Sequence, residues 1–438
     1  MLFRLVVLFL SIGLTVEVVL RVPMKRKESL NDKLIRQKRF HELRVLNRVR
    51  LTRLINPLIS QFDVSRQPFY DYADQEFNTI LSIGTPPQLF EVIPDTSESN
   101  TWVVDKTCNG SASYYDCPSI CSSSKEWCSR FCEDYCCQSN SSVSSQTADY
   151  GNPCQGKTQF DSTASTTYQS TGTDFHIPVG LGNVSGIFGK DTFTFGDTQY
   201  GSVIEIPETT FGQANRLSVS FTGTLFNGVL GLGFPKMAFD GEVPVFQNGI
   251  DHGVFDEPIF TIWLDTKGRK AMDQPAGSLT LGGKDTDHCN ANITFVPLIS
   301  KTVWWFNVVG IAVNDKKTGG DVFVALSSIG TTLNLVPTVV MTDLVYQTDA
   351  IYSYEYGFYE VDCSIQFTWS IFLEQQIELK IDQSTALWNI GNDQCLLAFA
   401  ALPDEGHGID VIVGVPFFEQ FCQIFDYGNG QIGFSKSN

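Results

Sequence analysis

The chain carries one short pattern twice, once in each half. In the first half an apolar run ends in PDTSESNTWVV, and a later apolar run closes on Gly231 in GVLGLG. In the second half SSIGTTLNLVP is followed by VIVGVPF, which contains Gly414. Each copy thus offers a strand, a tight polar loop and a later apolar strand closed by glycine. The repeat predicts two similar β lobes that face each other across a cleft.

From Phe69 onward the chain consists of short β-rich runs broken by Gly, Pro and Asn, such as FNTILSIGTPPQLFEVIP and DTFTFGDTQY. Its 438 residues are 42% hydrophobic and 12% aromatic, which is enough for a large core and suggests two or three domains. Helical periodicity is confined to the basic segment and a few short pieces, such as PVFQNGI and PFFEQFC. We therefore expect a mostly β architecture.

Charge is placed unevenly along the chain. The net charge is −18, yet the segment from Arg21 to Arg66 holds 13 basic and 4 acidic residues. The acidic body would repel phosphates, so we expect no nucleic-acid partner for it. The basic segment could be a nucleic-acid arm or a membrane-surface helix. We prefer a third interpretation, in which the basic segment is a propeptide that lies across the acidic body of the same chain.

The N-terminal stretch MLFRLVVLFLSIGL has Arg4 followed by an apolar run of about ten residues, which is too short to span a bilayer. We interpret residues 1–16 as a secretory signal peptide, with an N-terminal strand or anchor as the alternative. No later stretch reaches the ~18 continuous apolar residues of a membrane helix, so we expect no membrane span. The predicted location is extracellular or the lumen of an acidic compartment.

Twelve cysteines agree with secretion. Eight lie within residues 108–154 and four follow, at Cys289, Cys363, Cys395 and Cys422. Both counts are even, as pairing within each group requires. The rival reading is a zinc cluster, but CPSICSSSKEWCSRFCEDYCC contains no His and lacks paired C-x-x-C knuckles, so we expect no metal.

The stretch 108–154 has few aliphatic residues, so we expect an exposed insertion stapled by disulfides whose pairing stays open. Glycosylation sequons, each a weak signal alone, also point to secretion. They lie at Asn109, Asn140, Asn183 and Asn292.

Six stretches, in order, resemble the pepsin family of aspartic proteinases. VLRVPMKRKESLNDKLIRQ resembles the family's basic propeptide, and FNTILSIGTPPQLFEVIPDT resembles the entry into its first catalytic loop. NGVLGLGFPKMAFDGEVPVFQNGIDHGVFDEPIFTIWL resembles the stretch before the lobe junction, while SLTLGGKD, TFVPLI and FCQIFDYGNGQIGFSKS resemble the second lobe. The resemblance implies a bilobal pepsin-like fold, mostly β, with pseudo-twofold symmetry around a central cleft. It also implies a propeptide-like segment at 17–66, an N-terminal lobe at 67–262 and a C-terminal lobe at 263–438.

The resemblance further implies a chemistry without a cofactor. Each lobe lends one aspartate from a D-T-G-S/T-S loop. One ionised carboxylate takes a proton from a water, and the other, protonated, donates to the peptide carbonyl as the tetrahedral intermediate forms. The pair shares a proton because two like charges ~3 Å apart cannot both ionise easily.

The first loop departs from this pattern at two positions. Asp95 and Thr96 stand where the family has them, and Trp102 follows. Ser97 and Glu98 stand where the family has glycine and serine. Glycine there suits close backbone approach and strained angles, whereas Glu98 adds a negative charge beside Asp95.

The second loop departs at its catalytic position. Ser328 replaces the aspartate and Ile329 the threonine, while Gly330 and Thr331 continue the motif. Ser328 can hold a water but cannot act as the acid. In the family the two threonines lock the loops together by hydrogen bonds, so we expect Ile329 to leave Thr96 without its cross-loop partner.

Two further expectations come from the resemblance. Val179 stands where the family has the tyrosine of the flap, the hairpin over the cleft, so Trp102 should lack the tyrosine it meets in the family. Cys363 should pair with Cys395 inside the second lobe, and we propose Cys289 with Cys422 from what remains.

Three functions follow as hypotheses. We favour an inactive, monomeric homologue that binds peptides or unfolded protein in its cleft, or a protein partner. The second is a decoy or inhibitor that acts through its surface. An open cleft lined by apolar side chains would favour the first hypothesis, and a collapsed cleft would favour the second. The third is an active or weakly active endopeptidase in which Glu98 or Asp321 supplies the second carboxylate. Otherwise we expect Glu98 to be a solvated surface residue and Asp321 a turn residue.

Overall fold

A computed structural model describes most of the chain from Phe77 onward. The described residues are 20–26, 77–109, 152–179, 182–196, 203–218, 221–222, 224, 226–265, 274–318, 322–354, 356–402 and 408–437. The predicted signal peptide, most of the basic segment, six of the cysteines, Asn140 and Asp321 lie outside these ranges.

The architecture is mostly β, as the sequence predicts. The strands of the described ranges are β1 (Leu20–Arg26), β2 (Phe77–Ile83), β3 (Gln88–Asp95), β4 (Trp102–Val104), β5 (Gln169–Val179), β6 (Gly182–Phe195), β7 (Ile204–Leu217), β8 (Gly228–Gly231), β9 (Ile259–Leu264), β10 (Gln274–Leu281), β11 (Thr294–Pro297), β12 (Trp305–Val308), β13 (Gly310–Val313), β14 (Lys316–Thr318), β15 (Phe323–Ser327), β16 (Asn334–Pro337), β17 (Ile351–Ser353), β18 (Phe358–Asp362), β19 (Thr368–Phe372), β20 (Glu378–Asp382), β21 (Leu387–Gly391), β22 (Gln394–Leu397), β23 (Phe399–Leu402), β24 (Val411–Val413), β25 (Phe421–Asp426) and β26 (Gln431–Lys436).

Helices in the described ranges are short. They are α1 (Val245–Asp251), α2 (Thr338–Thr348), α3 (Gln383–Ala386) and α4 (Val415–Gln420), with 3₁₀ turns at Ser162–Ala164, Pro235–Met237, Phe239–Gly241 and Glu374–Gln376. The expected pieces PVFQNGI and PFFEQFC form α1 and α4. The sequence did not indicate α2, whose 11 residues bury Val340, Met341, Leu344 and Thr348. No helix in the described ranges combines the length and the hydrophobicity that crossing a bilayer requires.

The largest sheet has 13 strands and passes through both lobes, in the order β11-β26-β25-β9-β10-β1-β2-β3-β8-β4-β7-β6-β5. Strand β1, from the basic segment, lies between β10 of one lobe and β2 of the other, antiparallel to both. The three smaller sheets are β12-β15-β24-β16-β23, β14-β13-β19-β20 and β17-β18-β22-β21, all in the second half. The two-lobe, pepsin-like fold is thus present; the boundary that we place at 262/263 falls within β9.

The repeat seen in the sequence is a repeat of topology. In the first lobe β3 runs parallel to β8, which is antiparallel to β4. In the second lobe β15 runs parallel to β24, which is antiparallel to β16. In each lobe the polar loop leaves the end of the first of these strands. The two loops are therefore structural counterparts.

One hydrophobic core runs from lobe to lobe. Its aromatic centre holds Phe234 stacked on Tyr427, with ring centroids 4.4 Å apart, and Phe260 stacked on Phe425 at 4.6 Å. The indole of Trp304 packs against Phe234 at 4.6 Å and is fully buried. The lobe junction beneath the two polar loops is therefore firmly packed.

Candidate active site

The first polar loop begins where β3 ends, at Asp95. The last residue of this strand pairs with Gly231 of β8, and its carbonyl accepts a hydrogen bond of 2.9 Å from the N–H of Leu232. A Cβ atom at Gly231 would lie 2.5 Å from the carbonyl carbon of Ser99, so only glycine allows the loop to pack this closely. The side chain of Asp95 is buried, at 5% exposure.

The second polar loop begins one residue after β15, at Ser328. Its N–H donates to the carbonyl of Val413 at 3.1 Å, and its side chain is fully buried. A Cβ atom at Gly414 would lie 2.1 Å from the carbonyl oxygen of Leu333, so glycine closes this loop as it closes the first. Ser328 therefore lies at the position that corresponds to Asp95.

The two loops meet through Thr96, and one expectation is wrong here. The Thr96 hydroxyl donates to the carbonyl of Ser327 at 3.0 Å and accepts from the N–H of Ile329 at 3.1 Å. Thr96 thus keeps partners in the opposite loop, because it uses backbone groups that any residue supplies. The side chain of Ile329 is buried and belongs to the main hydrophobic core.

Gly330 brings the loops closer still. A Cβ atom at this residue would lie 2.1 Å from Oδ2 of Asp95, which is far inside van der Waals contact. The second loop therefore runs directly against the carboxylate of the first. Any larger residue at 330 would have to push the two lobes apart at this point.

Hydroxyl groups connect the two loops into one directed hydrogen-bond chain. Thr331 Oγ1 donates to Ser328 Oγ at 2.8 Å, and Ser328 Oγ donates to Ser97 Oγ at 3.3 Å. Ser97 Oγ in turn donates to Oδ1 of Asp95 at 2.6 Å, and the Ser97 N–H reaches the same oxygen at 2.8 Å. The carboxylate of Asp95 thus faces a hydroxyl network at the place where the family pairs it with a carboxyl group.

Ser97 fits without backbone strain. The strained angles for which the family's glycine is suited are not found here, because Ser97 is not among the residues with a positive φ. Serine is accommodated because its φ lies outside the left-handed region that favours glycine.

Glu98 is buried, at 9% exposure, so the expectation of a solvated surface residue is wrong. Its carbonyl accepts a hydrogen bond of 2.7 Å from the N–H of Gly233. Ser99, the next residue, donates its hydroxyl to the carbonyl of Phe234 at 2.8 Å. The loop therefore holds Glu98 inside the protein, against the glycine-rich turn after β8.

The flap is the hairpin of β5 and β6, in which Val179 pairs with Gly182. Val179 is buried, at 4% exposure, in an apolar cluster that includes Trp102, Phe221 and Phe226. The Trp102 ring meets Phe221 edge to face, with centroids 5.8 Å apart. Val179 therefore adds an apolar side chain to the cluster under the flap, where the family's tyrosine would supply a hydroxyl group.

Trp102 is the residue that the resemblance pairs with the flap tyrosine. Its indole Nε1 is buried and has no hydrogen-bond acceptor within the described ranges. A buried donor left in this state costs roughly 1–3 kcal/mol. In the described structure Trp102 thus lacks the polar partner that the resemblance assigns to it.

Trp304 supports both loops, and the sequence did not single it out. Its indole Nε1 donates to the carbonyl of Leu232 at 3.0 Å, next to the bond that Leu232 makes to Asp95. Its own carbonyl accepts the N–H of Ser327 at 2.9 Å. Gln423 assists from β25, since its Oε1 accepts the Ser327 hydroxyl at 2.6 Å. The only sequence signal for these roles is a large aromatic residue just before β12.

Both proposed disulfides of the second lobe are present, linking Cys363 to Cys395 and Cys289 to Cys422. A third bond joins Cys108 to Cys154 and closes the base of the insertion, in agreement with pairing inside that group. Among the sequons, Asn109 and Asn292 are exposed and Asn183 is half-buried on the flap strand β6. In the described ranges no cluster of His, Cys, Asp and Glu side chains has metal-binding geometry.

Chemically, the assembled site offers one aspartate and a set of hydroxyls. Ser, Thr and backbone N–H groups can orient and hydrogen-bond a ligand, but they do not titrate at working pH and so cannot serve as the general acid. The site therefore keeps the shape of a two-loop acid–base centre while one of its two positions carries no acid.

Comparison with known proteins agrees with the pepsin-like fold. Residues 76–437 match the family model for eukaryotic aspartyl protease. Aspartic protease 1 of Caenorhabditis elegans is 32% identical over 426 residues, covering 96% of this chain and 95% of that protein. Aspartic protease 2 of Necator americanus is 32% identical over 379 residues, covering 86% of this chain and 87% of that protein. Gastricsin of Callithrix jacchus is 26% identical over 439 residues, covering 99% of each. The chain belongs to the eukaryotic aspartyl protease family.

Proposed function

We propose that this member of the family is a catalytically inactive homologue that binds peptides, unfolded protein segments or a protein partner in its cleft without cleaving them. The observation that carries the proposal is Ser328. It lies fully buried at the counterpart of Asp95, and its hydroxyl is engaged by Thr331 and Ser97.

The chemistry of hydrolysis requires what Ser328 lacks. A serine hydroxyl cannot share a proton with Asp95 or protonate a peptide carbonyl in the pH range of an acid protease. General acid–base groups contribute typically 10²–10⁴-fold each. Loss of the second carboxyl group should therefore leave peptide hydrolysis near background.

The two loops and the flap that would hold a peptide are still in place. This supports a protein that binds without cleaving over one that has simply lost its function. Thr96 still joins the loops, and Gly330 still lies against Asp95. The flap hairpin is formed, and its inner side is apolar. An extended peptide laid between flap and loops would meet backbone groups and apolar side chains, which is how clefts of this kind hold peptides.

The proposed setting is extracellular or the lumen of an acidic compartment, with the protein as a monomer. Three disulfides within the described ranges support an oxidising environment. We further propose that residues 1–16 are a signal peptide and that 17–66 act as a propeptide-like segment, of which β1 is the described part. Sequons on exposed Asn109 and Asn292 support glycosylation in the same setting.

The test is a peptidase assay across pH 2–7 with reduced, carboxymethylated lactalbumin as substrate and a gastricsin as positive control. The proposal expects the same background rate from the wild type and from Asp95→Asn. Binding is measured in parallel by the anisotropy of a labelled fragment of that substrate. Cleavage that disappears in both Asp95→Asn and Glu98→Gln would instead establish an enzyme with Glu98 as its second carboxylate.

A further inference from the structure

The position of the Ser97 hydroxyl follows from the local sequence. In Asp-x-Ser and Asp-x-Thr, the side chain of the third residue and its N–H both reach the first carboxylate, which is an Asx-type turn. The same arrangement occurs at Thr107 on Asp105, where N–H and Oγ1 reach Oδ1 at 2.8 and 2.5 Å. A serine placed two residues after Asp95 therefore sets its hydroxyl on the carboxylate without help from the rest of the fold.

What is particular to Ser97 is its second contact. Its oxygen also accepts a hydrogen bond from Ser328 Oγ of the opposite loop, at 3.3 Å. Ser97 Oγ thus lies between the two counterpart residues of the repeat, 2.6 Å from one and 3.3 Å from the other. A water that bridged Oδ1 of Asp95 and Oγ of Ser328 through these two contacts would overlap this oxygen.

We propose that the Ser97 hydroxyl is a built-in ligand of the degenerate site and takes the place of the attacking water. The proposal rests on the proposed function, because it treats Asp95 and Ser328 as the counterparts of a catalytic pair. It adds a second block that is independent of the missing carboxyl group. Even a chain with both carboxylates would keep a hydroxyl where its nucleophile has to stand.

Tethering makes this hydroxyl hard to displace. A bound water loses translational freedom when it settles, whereas Ser97 is already fixed to the loop and loses little. The adjacent N–H of Ser97 holds the same carboxylate oxygen at 2.8 Å and keeps the turn closed. Ser97 is therefore a positioning residue that determines which ligands the cleft prefers.

The consequence concerns ligand class. A peptide whose central unit carries a hydroxyl, as in –CH(OH)–CH₂–, gains affinity when that hydroxyl can replace a water at the carboxylate. In this protein the Ser97 hydroxyl fills the water position at Asp95. The hydroxyl of the peptide should therefore add no affinity and can collide with Ser97. Peptides without such a group should bind equally well.

The experiment measures the affinities of a matched pair of peptide analogues, one with –CH(OH)–CH₂– and one with –CH₂–CH₂– at the centre. Calorimetry at pH 5 is applied to the wild type, Ser97→Gly and Thr107→Gly. We expect a wild-type ratio within threefold of unity. In Ser97→Gly the hydroxyl compound should gain about tenfold over its partner, as a hydrogen bond to a charged group allows. Thr107→Gly removes an equivalent turn away from the site and should keep the wild-type ratio.

A tenfold preference for the hydroxyl compound already in the wild type would overturn the proposal, as would a ratio near unity in Ser97→Gly. Crystal structures of the wild type and Ser97→Gly provide a readout that does not depend on binding. An ordered water bridging Asp95 and Ser328 should occupy the site in Ser97→Gly. The same bridging water found beside an intact Ser97 in the wild type would refute the assignment.

These outcomes are separate from those of the proposed function. Cleavage by the wild type that depends on Asp95 would contradict inactivity, whatever the analogue ratio. Failure of both compounds to bind any variant would contradict cleft binding, and the two crystal structures would still decide the role of Ser97. A chain with Ser328→Asp can be compared with Ser97→Gly/Ser328→Asp, and only the second should show Asp95-dependent hydrolysis.

Discussion

The hydroxyl of Thr96 holds the backbone N–H of Ile329 across the junction of the two lobes, at 3.1 Å. The isoleucine side chain takes no part in this bond and lies in the core. Replacement of the family's second threonine has therefore removed only the contact that a hydroxyl at 329 would make. The bond that starts from Thr96 survives because both of its partners are main-chain groups.

Thr96→Val should destabilise the protein by about 2–4 kcal/mol, because it leaves the N–H of Ile329 and the carbonyl of Ser327 without their partner in a buried place. Urea unfolding with disulfides intact measures the change. Thr348→Val is the matched control, since this buried threonine donates back to the carbonyl of Leu344 within α2. A loss no larger than that of the control would mean that Thr96 does not hold the loops together.

Two fully buried tryptophans should respond differently to the same substitution. Trp304→Phe removes a hydrogen bond to the carbonyl of Leu232, whereas Trp102→Phe removes an indole N–H without an acceptor in the described ranges. The first variant should therefore lose about 1–3 kcal/mol more stability than the second. Thermal unfolding of both at one pH provides the comparison, and equal losses would show that Trp102 has an acceptor after all.

The two disulfides of the second lobe should contribute unequally. Cys289–Cys422 spans 133 residues of sequence and Cys363–Cys395 spans 32. If restriction of the unfolded chain dominates, paired Cys→Ala substitution should cost about 5 kcal/mol for the first bond and about 4 for the second. Denaturant unfolding of the two double variants tests this order. The reverse order would indicate that native-state contacts, and not loop closure, set the contributions.

Asp285 should make part of the stability dependent on pH. Burial raises the pKa of Asp285, but hydrogen bonds from His288 and Ser278 lower it more, and the net pKa lies below its ordinary value of 3.8. A depressed carboxylate pKa stabilises the fold above the unfolded-state value and loses this contribution as pH falls through the folded-state value. Asp285→Asn should therefore cost about 1–3 kcal/mol at pH 7, and the difference from the wild type should shrink below pH 3.8.

Unfolding of the wild type and Asp285→Asn from pH 7 to pH 2 checks this prediction. Ser278→Ala removes one hydrogen-bond donor and keeps the carboxylate. Its loss of stability at pH 7 should therefore be smaller than that of Asp285→Asn and should shrink over the same pH range. A difference in stability between the wild type and Asp285→Asn that stays constant down to pH 2 would show that the role of Asp285 does not depend on its charge.

Removal of β1 should expose two strand edges. The strand lies between β10 and β2, so a chain without residues 1–26 leaves unpaired backbone groups on both. Such edges invite pairing with other chains. We expect dimers or larger aggregates by light scattering, and recovery of the monomer when a peptide of residues 20–26 is added. A truncated chain that stays monomeric without the peptide would show that β1 is dispensable.

Prediction from sequence succeeded where side-chain pattern and topology coincide. The polar loops and closing glycines mark the two parallel strand pairs directly, because Gly231 and Gly414 are required by contacts that any such loop makes. It failed at α2, where the β-branched residues of TVVMTDLVYQT disfavour a helix and burial of one face decides the outcome.

Within the site, replaced side chains were visible in the sequence, but their consequences were not. The survival of the Thr96 bonds depends on backbone groups, which have no signature in the residue names. The burial of Glu98 and the double role of Trp304 arise only when the two lobes are in place. Tertiary context, and not local pattern, determines these features.

The way in which Trp304 supports both loops bears on how such a site can change over generations. Its indole and its carbonyl contact the main chain at Leu232 and Ser327, and neither contact touches the catalytic positions. Selection on hydrolysis can therefore be relaxed without selection on folding being relaxed with it. Substitutions at 97, 328 and 329 could therefore accumulate one at a time, each in a chain that still folds. If the proposed function is correct, peptide hydrolysis can in this way be lost while peptide binding is kept, with no unfolded intermediate.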